Sequence, residues 1–209
     1  MPHTSLTKDL IFDAFLQQTS SLGYENVGLR DIGKLVNINA ASIYYHFPSK
    51  EAILDHAYNY YLQHQFDNRL QRQEMYELVE TAAAEKIVDA FFYSFDSTDE
   101  KYYTRMVLIT RIIYMRLFQD RKASDIFNAA DIDNHDYVVD ILNHGKEIGR
   151  IDKNFDTDTY AYVLIGSMQI MGIKAFADVN YKVGQLDRES RILALLTRLL
   201  STALLDPPE

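Results

Sequence analysis

The spacing of apolar residues constrains this chain most, because it follows a helical period almost throughout. Apolar side chains recur three and four residues apart in one segment after another, for example at Leu29, Ile32 and Val36. No segment alternates apolar and polar residues in the manner of a half-buried strand. The prolines stand at positions 2, 48, 207 and 208, outside the interiors of the predicted helices. The sequence therefore predicts an all-α fold of about nine helices.

Helix-start and helix-stop signals set the expected boundaries. Gly23 is expected to end the first helix, Ser124 to cap a later one, and the segment 96–99 to break the chain between two others. Gly145 and Gly149 are expected to punctuate a polar connector that ends near Asp156. The predicted helices span residues 7–22, 29–36, 40–47, 50–72, 77–95, 99–119, 124–145, 156–178 and 187–205.

Composition excludes several classes of protein. The chain has 209 residues, of which 47% are apolar, so it can build a core without a metal or a disulfide. It has no cysteine. The start lacks the apolar core of a signal peptide, and the longest uncharged run, 159–173, is shorter than the roughly 20 residues of a membrane span. We therefore expect a cytoplasmic protein without membrane contact.

The stretch from Gly28 to Lys50 contains two short helical patterns separated by a tight turn. Asn37 lies at the reversal, where a left-handed conformation is needed, and Asn39 can cap the second helix. Pro48 ends that helix at Phe47, and Ser49 can cap the next one. Two short helices joined in this way form a helix-turn-helix, whose second helix can enter a DNA major groove.

The same stretch resembles the N-terminal signature of the TetR family of bacterial transcriptional regulators. Ile32 and Gly33 stand at its Ile-Ala, and residues 37–39 at its Gly-Val-Ser. Its Ile-Tyr-x-His-Phe-x-x-Lys is matched by Ile43, Tyr44, His46, Phe47 and Lys50. Gly28 replaces the family's threonine and has no hydroxyl to give a phosphate. The resemblance implies a helix-turn-helix DNA-binding domain at 1–49 and a larger effector-binding and dimerisation domain at 50–209.

The predicted DNA contacts lie on the second short helix and beside it. The side chains expected at base edges are Asn39, Ala40, Ala41 and Ser42, since Ala contacts a thymine methyl and Asn or Ser hydrogen-bonds bases. Those expected to donate to phosphate oxygens are Tyr44, Tyr45, His46 and Lys50, whereas Phe47 is expected in the core. Arg30 either reaches the DNA backbone or pairs with a nearby carboxylate.

The negative net charge of the chain is unfavourable for DNA binding. The net charge is −9, and residues 1–55 carry four basic against six acidic side chains. A surface that binds phosphate needs only local positive potential, and oriented helix amides can supply part of it. We therefore expect modest non-specific affinity for DNA and a shallow dependence on salt.

The second domain is rich in aromatic residues and methionine, which could line an apolar pocket or simply fill a core. The resemblance implies a pocket for a small-molecule effector, apolar or aromatic in character. The candidate lining residues are Tyr61, Phe92, Met106, Ile109, Ile113, Tyr137 and Met168. No cofactor is expected.

The two C-terminal helices are apolar nearly all round, which exceeds what one small bundle buries. Part of each must be protomer core, and the remainder favours association. The candidate interface residues are Ile165, Gly172, Leu195 and Leu199. The resemblance also implies a two-fold homodimer through these helices, which would present two recognition helices to a palindromic operator of double-stranded DNA.

The expected function is that of a ligand-responsive transcriptional regulator, a repressor that leaves its operator when a small molecule binds the C-terminal domain. The alternative is a helical dimeric module that binds ligand or protein and has lost DNA binding.

An enzyme is not expected, because the chain lacks the Glu-x-x-His pairs of di-iron sites, His-Glu-x-x-His and the phosphate-binding glycine motifs. The acidic patch formed by Asp131, Asp133, His135 and Asp136 is interpreted as a solvated helix face. A calcium loop there would need Glu in place of Leu142.

Overall fold

The computed structural model describes residues 2–92, 99–177 and 187–206, except for the side chains of 2–5, 174–177 and 187–190. Within these residues it contains ten α-helices, one short 3-10 helix (Tyr24–Asn26) and a single isolated bridge between Ile151 and Leu204. The prediction of an all-α fold is confirmed. The helices are α1 (Pro2–Leu22), α2 (Leu29–Leu35), α3 (Ala40–His46), α4 (Lys50–His64), α5 (Arg72–Thr81), α6 (Ala84–Phe92), α7 (Glu100–Arg116), α8 (Arg121–Glu147), α9 (Thr157–Ala177) and α10 (Asp187–Ala203).

The chain divides into two compact units. Unit 1 comprises residues 1–67 and 97–127, and unit 2 comprises residues 68–96 and 128–209. Unit 1 therefore includes α7 as well as α1 to α4. This division is one of packing, whereas the predicted boundary between residues 49 and 50 is one of function. That boundary stays a prediction.

Unit 1 is built around the face of α1 that carries Phe12 and Phe15, both of which are fully or almost fully buried. This face packs in one core with Ile53 of α4, Ile109 of α7 and Ile43 of α3. Two helices as short as α2 and α3 cannot bury their apolar faces alone. The predicted role of α1 as their support agrees with this core.

An ion cluster also ties α1 to α7. The Arg105 guanidinium donates to the Asp9 carboxylate at 2.8 Å and to the Asp13 carboxylate at 2.6 Å. It also lies 5.1 Å from the centre of the Phe12 ring. Only 12% of the Arg105 side chain is exposed, so the guanidinium group is largely shielded from solvent and its two charged hydrogen bonds fix the register of the two helices.

Unit 2 has its own core, contributed by α5, α6, α8, α9 and α10. Met75, Ile87, Ile141, Leu164 and Leu196 are completely buried in it. The Tyr160 hydroxyl on α9 donates to the Leu196 carbonyl of α10 at 3.0 Å. This bond satisfies a buried phenol and pins the two C-terminal helices of the unit together.

Two predicted helix boundaries are wrong at the same place. The helix predicted over 50–72 ends at His64, and α5 begins at Arg72 instead of residue 77. A capping box starts α5, in which the Glu74 carboxylate accepts from the Gln71 amide at 2.7 Å. The helix predicted over 77–95 is likewise split, because Ala82 is extended between α5 and α6. The first break was missed because the residue that caps α5, Gln71, is not one of the usual N-cap residues Ser, Thr, Asp or Asn.

The start of α8 also differs from the prediction. Ser124 is not its cap, since the helix begins at Arg121 and the Asp120 carboxylate accepts from the Lys122 amide at 2.9 Å. Gly145 lies inside α8, where an added Cβ would come within 2.6 Å of Ile151, so the glycine permits close packing instead of ending the helix. The predicted break at 96–98 falls outside the described residues, and Asp99 caps α7 directly after it.

No helix in the described part of the chain is both long and apolar enough to cross a membrane.

Candidate DNA-binding surface

The turn between α2 and α3 has the predicted geometry. Asn37 adopts a φ of 55°, the left-handed conformation expected at the reversal. The Ile38 amide donates to the Gly33 carbonyl at 2.9 Å and closes the turn. A Cβ on Gly33 would lie 2.8 Å from the Ile38 carbonyl oxygen, so glycine permits this close approach. The turn therefore holds α2 and α3 against each other through backbone contacts.

Both predicted caps around α3 are present. The Asn39 side-chain oxygen accepts from the Ser42 amide at 2.8 Å, and the Ser49 hydroxyl accepts from the Ala52 amide at 3.1 Å. The helix ends at His46, and Phe47 takes the extended conformation that Pro48 imposes. These local devices fix the length and the position of α3.

The two faces of α3 differ sharply in burial. Ile43 is fully buried and Phe47 is 3% exposed, so one face is part of the unit 1 core. On the opposite face Ala41 is exposed, Tyr44 is 55% exposed and Tyr45 is 79% exposed. The helix is thus held from behind, and its outer face is presented to solvent.

Of the remaining predicted contact residues, Asn39 is exposed, whereas Ala40, Ser42 and His46 are partly buried. The His46 ring packs edge-on against the Tyr45 ring, with the centroids 5.2 Å apart. The short segment from 39 to 46 therefore keeps its predicted contact residues together on or beside one surface.

An open cleft of about 760 Å³ adjoins α3 and brings several of these residues together. Arg30 of α2, Tyr44 of α3 and Lys50 of α4 line it. The structure adds Ser49 and Glu51, which had not been predicted as site residues. The sequence alone gave no reason to predict Glu51 as a site residue, because the turn at Pro48 is what brings this residue to the cleft.

The Glu51 carboxylate places a negative charge at this cleft. Its own backbone amide, the Ser49 hydroxyl and the Tyr24 hydroxyl donate hydrogen bonds that lower the pKa of the carboxyl group. The Tyr24 contact is 3.1 Å. The Glu51 carboxylate is therefore ionised at neutral pH, and its charge offsets the positive potential of the basic side chains near it.

The two basic residues of α2 have different environments. Lys34 pairs with Asp31 at 3.0 Å, whereas Arg30 is exposed and has no ion-pair partner among the described residues. The Arg30 side chain is therefore available to an external partner, and its predicted reach to the DNA backbone stays a prediction.

Lys50 is engaged inside the protein. Its ammonium group donates to the Tyr24 carbonyl at 2.9 Å and to the Val27 carbonyl at 3.1 Å, and it lies 4.0 Å from the centre of the Tyr24 ring. These contacts tie the start of α4 to the segment that leads into α2. One N–H of the ammonium group remains beyond these two bonds. The predicted donation to phosphate stays a prediction, and the structure shows a supporting role.

A second cleft of about 460 Å³ lies between α4 and the turn from α7 to α8 within unit 1. The Asp120 carboxylate accepts from the Tyr58 hydroxyl at 2.9 Å and from Arg116 at 3.1 Å. Partial burial opposes ionisation of Asp120, but these hydrogen bonds prevail and lower the pKa of its carboxyl group. Lys122 pairs with Asp55 at 2.6 Å. The cleft is therefore lined by charges that already have partners.

The seven candidate ligand-binding residues fall in different units. Those of unit 1 are Tyr61, Met106, Ile109 and Ile113, and those of unit 2 are Phe92, Tyr137 and Met168. Ile109, Ile113 and Tyr137 are at most 4% exposed and belong to the two cores. Burial raises the pKa of the Tyr61 phenol to about 12. None of the seven lines either cleft, and their role in ligand binding stays a prediction.

The candidate interface residues also differ in burial. Ile165 is 6% exposed and packs in the core of unit 2, while Gly172 is partly buried. Leu195 and Leu199 are 53% and 40% exposed. The sequence did not predict Tyr162 and Ile170 of α9 at an interface, and they are 61% and 55% exposed. An apolar surface therefore remains on α9 and α10 of the protomer.

The acidic patch on α8 is paired within unit 2 and is not simply solvated. Asp133 accepts from Arg69 at 2.6 Å, and Asp131 accepts from the Gln169 amide at 2.6 Å. His135 lies 3.1 Å from the Asp158 carboxylate. Among the described residues, no group of three or more possible ligands could hold a metal ion.

A family model matches this same N-terminal region. The family model described as bacterial regulatory proteins, tetR family, matches residues 11–57. Over these residues the chain is similar to the TetR family. The match runs from the middle of α1 to the middle of α4 and contains the whole helix-turn-helix. TetR-family regulators are transcription factors without enzymatic activity, in agreement with the prediction from sequence.

A curated relative matches a part of the chain. The biofilm operon icaADBC HTH-type negative transcriptional regulator IcaR of Staphylococcus epidermidis is 41% identical over 59 residues, which are 26% of this chain and 32% of the relative. The chain thus spans about a third of the length of that protein. The likeness concerns about a quarter of this chain and does not extend to the rest of it.

Solved structures resemble the whole chain. A transcriptional regulator from Saccharomonospora viridis in complex with choline gives a TM-score of 0.65 at 19% identity, over 96% of this chain and 98% of that one. The SmeT–triclosan complex gives a TM-score of 0.62 at 16% identity, over 96% and 93%. At these identities the likeness establishes that the chain shares the helical fold of these two proteins, and no more.

Proposed function

We propose that this chain is a DNA-binding transcriptional regulator of the repressor type, whose α3 enters the major groove. The observation that carries the proposal is the contrast between the two faces of α3. Ile43 and Phe47 are held in the core, while Ala41, Tyr44 and Tyr45 are turned to solvent by a helix that is capped at Asn39. A buried back and a presented front suit the second helix of a helix-turn-helix.

Contacts to phosphate would position α3 without reading sequence. Arg30 has no ion-pair partner among the described residues and lines the cleft beside α3, and Tyr44 lines the same cleft. A guanidinium group and a phenol are both donors that bind phosphate oxygens. Glu51 at the cleft and the net charge of −9 limit the electrostatic attraction, so affinity for random DNA is modest.

A homodimer would double this surface. The exposed apolar residues of α9 and α10, among them Ile170, Leu195 and Leu199, give a second copy a surface to cover. A two-fold pair presents two copies of α3 to half-sites that lie about 34–36 Å apart or a multiple of this distance. The operator is therefore a palindrome.

Release from the operator would follow binding of a small molecule in the C-terminal domain. Choline and triclosan are bound in two structures that share the fold, which supports the idea of a small-molecule effector. Such a molecule acts only through a higher affinity for the conformation that cannot match both half-sites. The effector would be apolar or aromatic, and the candidate lining residues remain those predicted from the sequence.

The test is selection of fragments from random duplex DNA by the full chain, followed by affinity measurements between 50 and about 200 mM salt. We expect enrichment of one palindromic sequence. Arg30→Ala should weaken binding to all sequences alike and reduce the salt slope by about 1. Tyr44→Phe should weaken binding without changing the slope, because a neutral hydroxyl releases no counterion.

Arg121→Ala is the matched control, since this arginine of α8 is 94% exposed and lies outside the cleft beside α3. It should leave both the affinity and the slope unchanged. If no sequence is enriched while the protein is folded and dimeric, the proposal is wrong. The alternative, a helical dimeric module that binds ligand or protein without DNA, would then be the better account.

A further inference from the structure

We propose that α3 recognises A·T base pairs in the half-site, by apolar contact with thymine methyl groups and by a donor–acceptor pair formed jointly by Asn39 and Ser42. The inference rests on the proposed function and specifies the class of DNA sequence that this surface binds. Its basis is the set of side chains that α3 presents and the hydrogen bonds that already occupy them.

Asn39 is not free to bind a base through both ends of its amide. Its oxygen accepts from the Ser42 amide at 2.8 Å and from the Ser42 hydroxyl at 3.1 Å, which fills both lone pairs. A lone Asn recognises adenine through one donor and one acceptor together, and here the acceptor is used. The Asn39 amide nitrogen is left as a donor only.

Ser42 supplies the missing half. Its hydroxyl proton is committed to the Asn39 oxygen, so the Ser42 oxygen keeps its lone pairs as an acceptor, and the residue is partly exposed. The two side chains together present one donor group and one acceptor group. This is the complement of the major-groove edge of adenine, which has an acceptor at N7 and a donor at N6.

The rest of the exposed face is apolar or aromatic. Ala41 and Tyr45 lie one helical turn apart on the same face, and both are exposed. An alanine methyl and an aromatic ring make contact with the thymine C5-methyl, a group that cytosine lacks. Adenine on one strand and thymine on the other are therefore matched by neighbouring side chains of one helix.

The absence of charge on α3 points the same way. The helix sequence Ala40–His46 contains no Lys, Arg, Asp or Glu. The common contact to guanine is a bidentate Arg or Lys at O6 and N7, and the contact to cytosine N4 is a carboxylate. The sequence of α3 contains neither side chain, so A·T pairs fit it better than G·C pairs.

The test uses the selected operator with each thymine of a half-site replaced singly by deoxyuridine, which removes only the methyl group. At one or two positions of each half-site we expect affinity to fall about fourfold, the equivalent of one buried CH₂ group. Ala41→Gly or Tyr45→Ala should abolish this penalty at the position that each side chain contacts. Ala129→Gly, at another exposed helical alanine on α8, should leave the penalty unchanged.

A second variant separates the cap from base recognition. Asn39→Ser keeps a good helix cap but removes the amide donor. It should leave the urea midpoint nearly unchanged and lower operator affinity about tenfold or more, the effect of one good base contact. The same operator can be made with 7-deazaadenine in place of adenine, which removes N7. A similar loss of affinity for the wild type, with no further loss for Asn39→Ser, would locate the contact at N7.

The outcomes distinguish the two levels of the argument. Binding to a selected operator with no deoxyuridine penalty under α3, or with a penalty that survives both Ala41→Gly and Tyr45→Ala, overturns the inference and leaves the proposed function standing. Selected half-sites whose central base pairs are G·C would also overturn the inference and leave the proposed function standing. Failure to bind any duplex overturns both.

Discussion

Replacing Lys50 tests whether this residue supports the helix-turn-helix or contacts DNA. In the structure its ammonium group donates to two carbonyls, those of Tyr24 and Val27, and lies over the Tyr24 ring. Lys50→Met keeps most of the apolar stem and removes the charge and all donors.

The magnitude follows from the lost contacts. A hydrogen bond from a charged group contributes about 1.5–3 kcal/mol, and a cation–π contact about 0.5–1 kcal/mol at an exposed site. The Tyr24 carbonyl keeps a bond from the Val27 amide at 3.3 Å, and both carbonyls can bind water at this half-buried position. We therefore expect a loss of about 2–4 kcal/mol in the free energy of unfolding of unit 1.

Urea denaturation followed by circular dichroism measures the loss, and amide hydrogen exchange of the segment 24–28 localises it. The matched control is Lys34→Met, because Lys34 is 78% exposed and makes a single ion pair with Asp31. The control should cost less than about 0.5 kcal/mol. In operator binding, Lys50→Met should reduce affinity while keeping the salt slope.

The opposite pattern would refute this reasoning. If Lys50→Met has the stability of the wild type and the salt slope falls by about 1, the ammonium group contacts a phosphate in the complex. The hydrogen bonds seen in the free protein would then contribute little to its stability.

Two further predictions concern pH and assembly. Burial against Phe12 and Phe47, with Lys8 and Arg105 nearby, lowers the pKa of His56. Since the unfolded state then binds the proton more readily, unit 1 should lose stability as pH falls below about 6.5, by up to about 1.4 kcal/mol per pH unit. In urea titrations His56→Gln should flatten this dependence of the free energy of unfolding on pH. Asn59→Gln, at an exposed position of the same helix, should not flatten it. Equal pH slopes in the wild type and both variants would contradict the cause given. Leu195→Glu with Leu199→Glu should weaken dimerisation at least 30-fold, roughly the loss of one interface hot spot, as measured by sedimentation equilibrium. Leu62→Glu on α4 is the matched control, and a double variant that dimerises like the wild type would rule out this face of α10 as the interface.

The parts of the fold that were predicted correctly are those fixed by short-range chemistry. The left-handed Asn37, the Asn39 and Ser49 caps and the end of α1 at Gly23 each depend on residues within one turn of the chain. Such signals can be recognised from neighbouring residues alone. They were also sufficient to place Tyr45 on the exposed side of α3 and Phe47 in the core.

The wrong boundaries depend on partners far away in sequence. Nothing between His64 and Arg72 is a Pro or Gly, and apolar spacing continues through the segment. In the structure the Tyr102 hydroxyl donates to the His64 carbonyl at 2.8 Å, and the Tyr137 hydroxyl donates to the Leu70 carbonyl at 2.7 Å. These side chains satisfy carbonyls that a continued helix would have bonded itself. Tertiary contacts therefore end α4 where local propensity would extend it.

The candidate site shows the same limit. The partners of Lys50 lie 23 and 26 residues before it, and Glu51 meets the Tyr24 hydroxyl across 27 residues. Ile165 was predicted at an interface because its helix is apolar all round, but spacing alone cannot say which apolar side faces the protomer core. The periodicity identified the helices, and only the packing showed which of their side chains remain available.

The central claim is that two copies of α3 are paired by a two-fold axis and occupy successive major grooves. A hydroxyl-radical footprint on the selected operator, with the stoichiometry from sedimentation, tests it most directly. We expect two protomers per duplex and two protected half-sites about 34–36 Å apart, or a multiple of this distance, each of which loses protection when Ala41 and Tyr45 are replaced. A single protected site bound by one protomer, or a footprint that persists after α3 is changed, would contradict it.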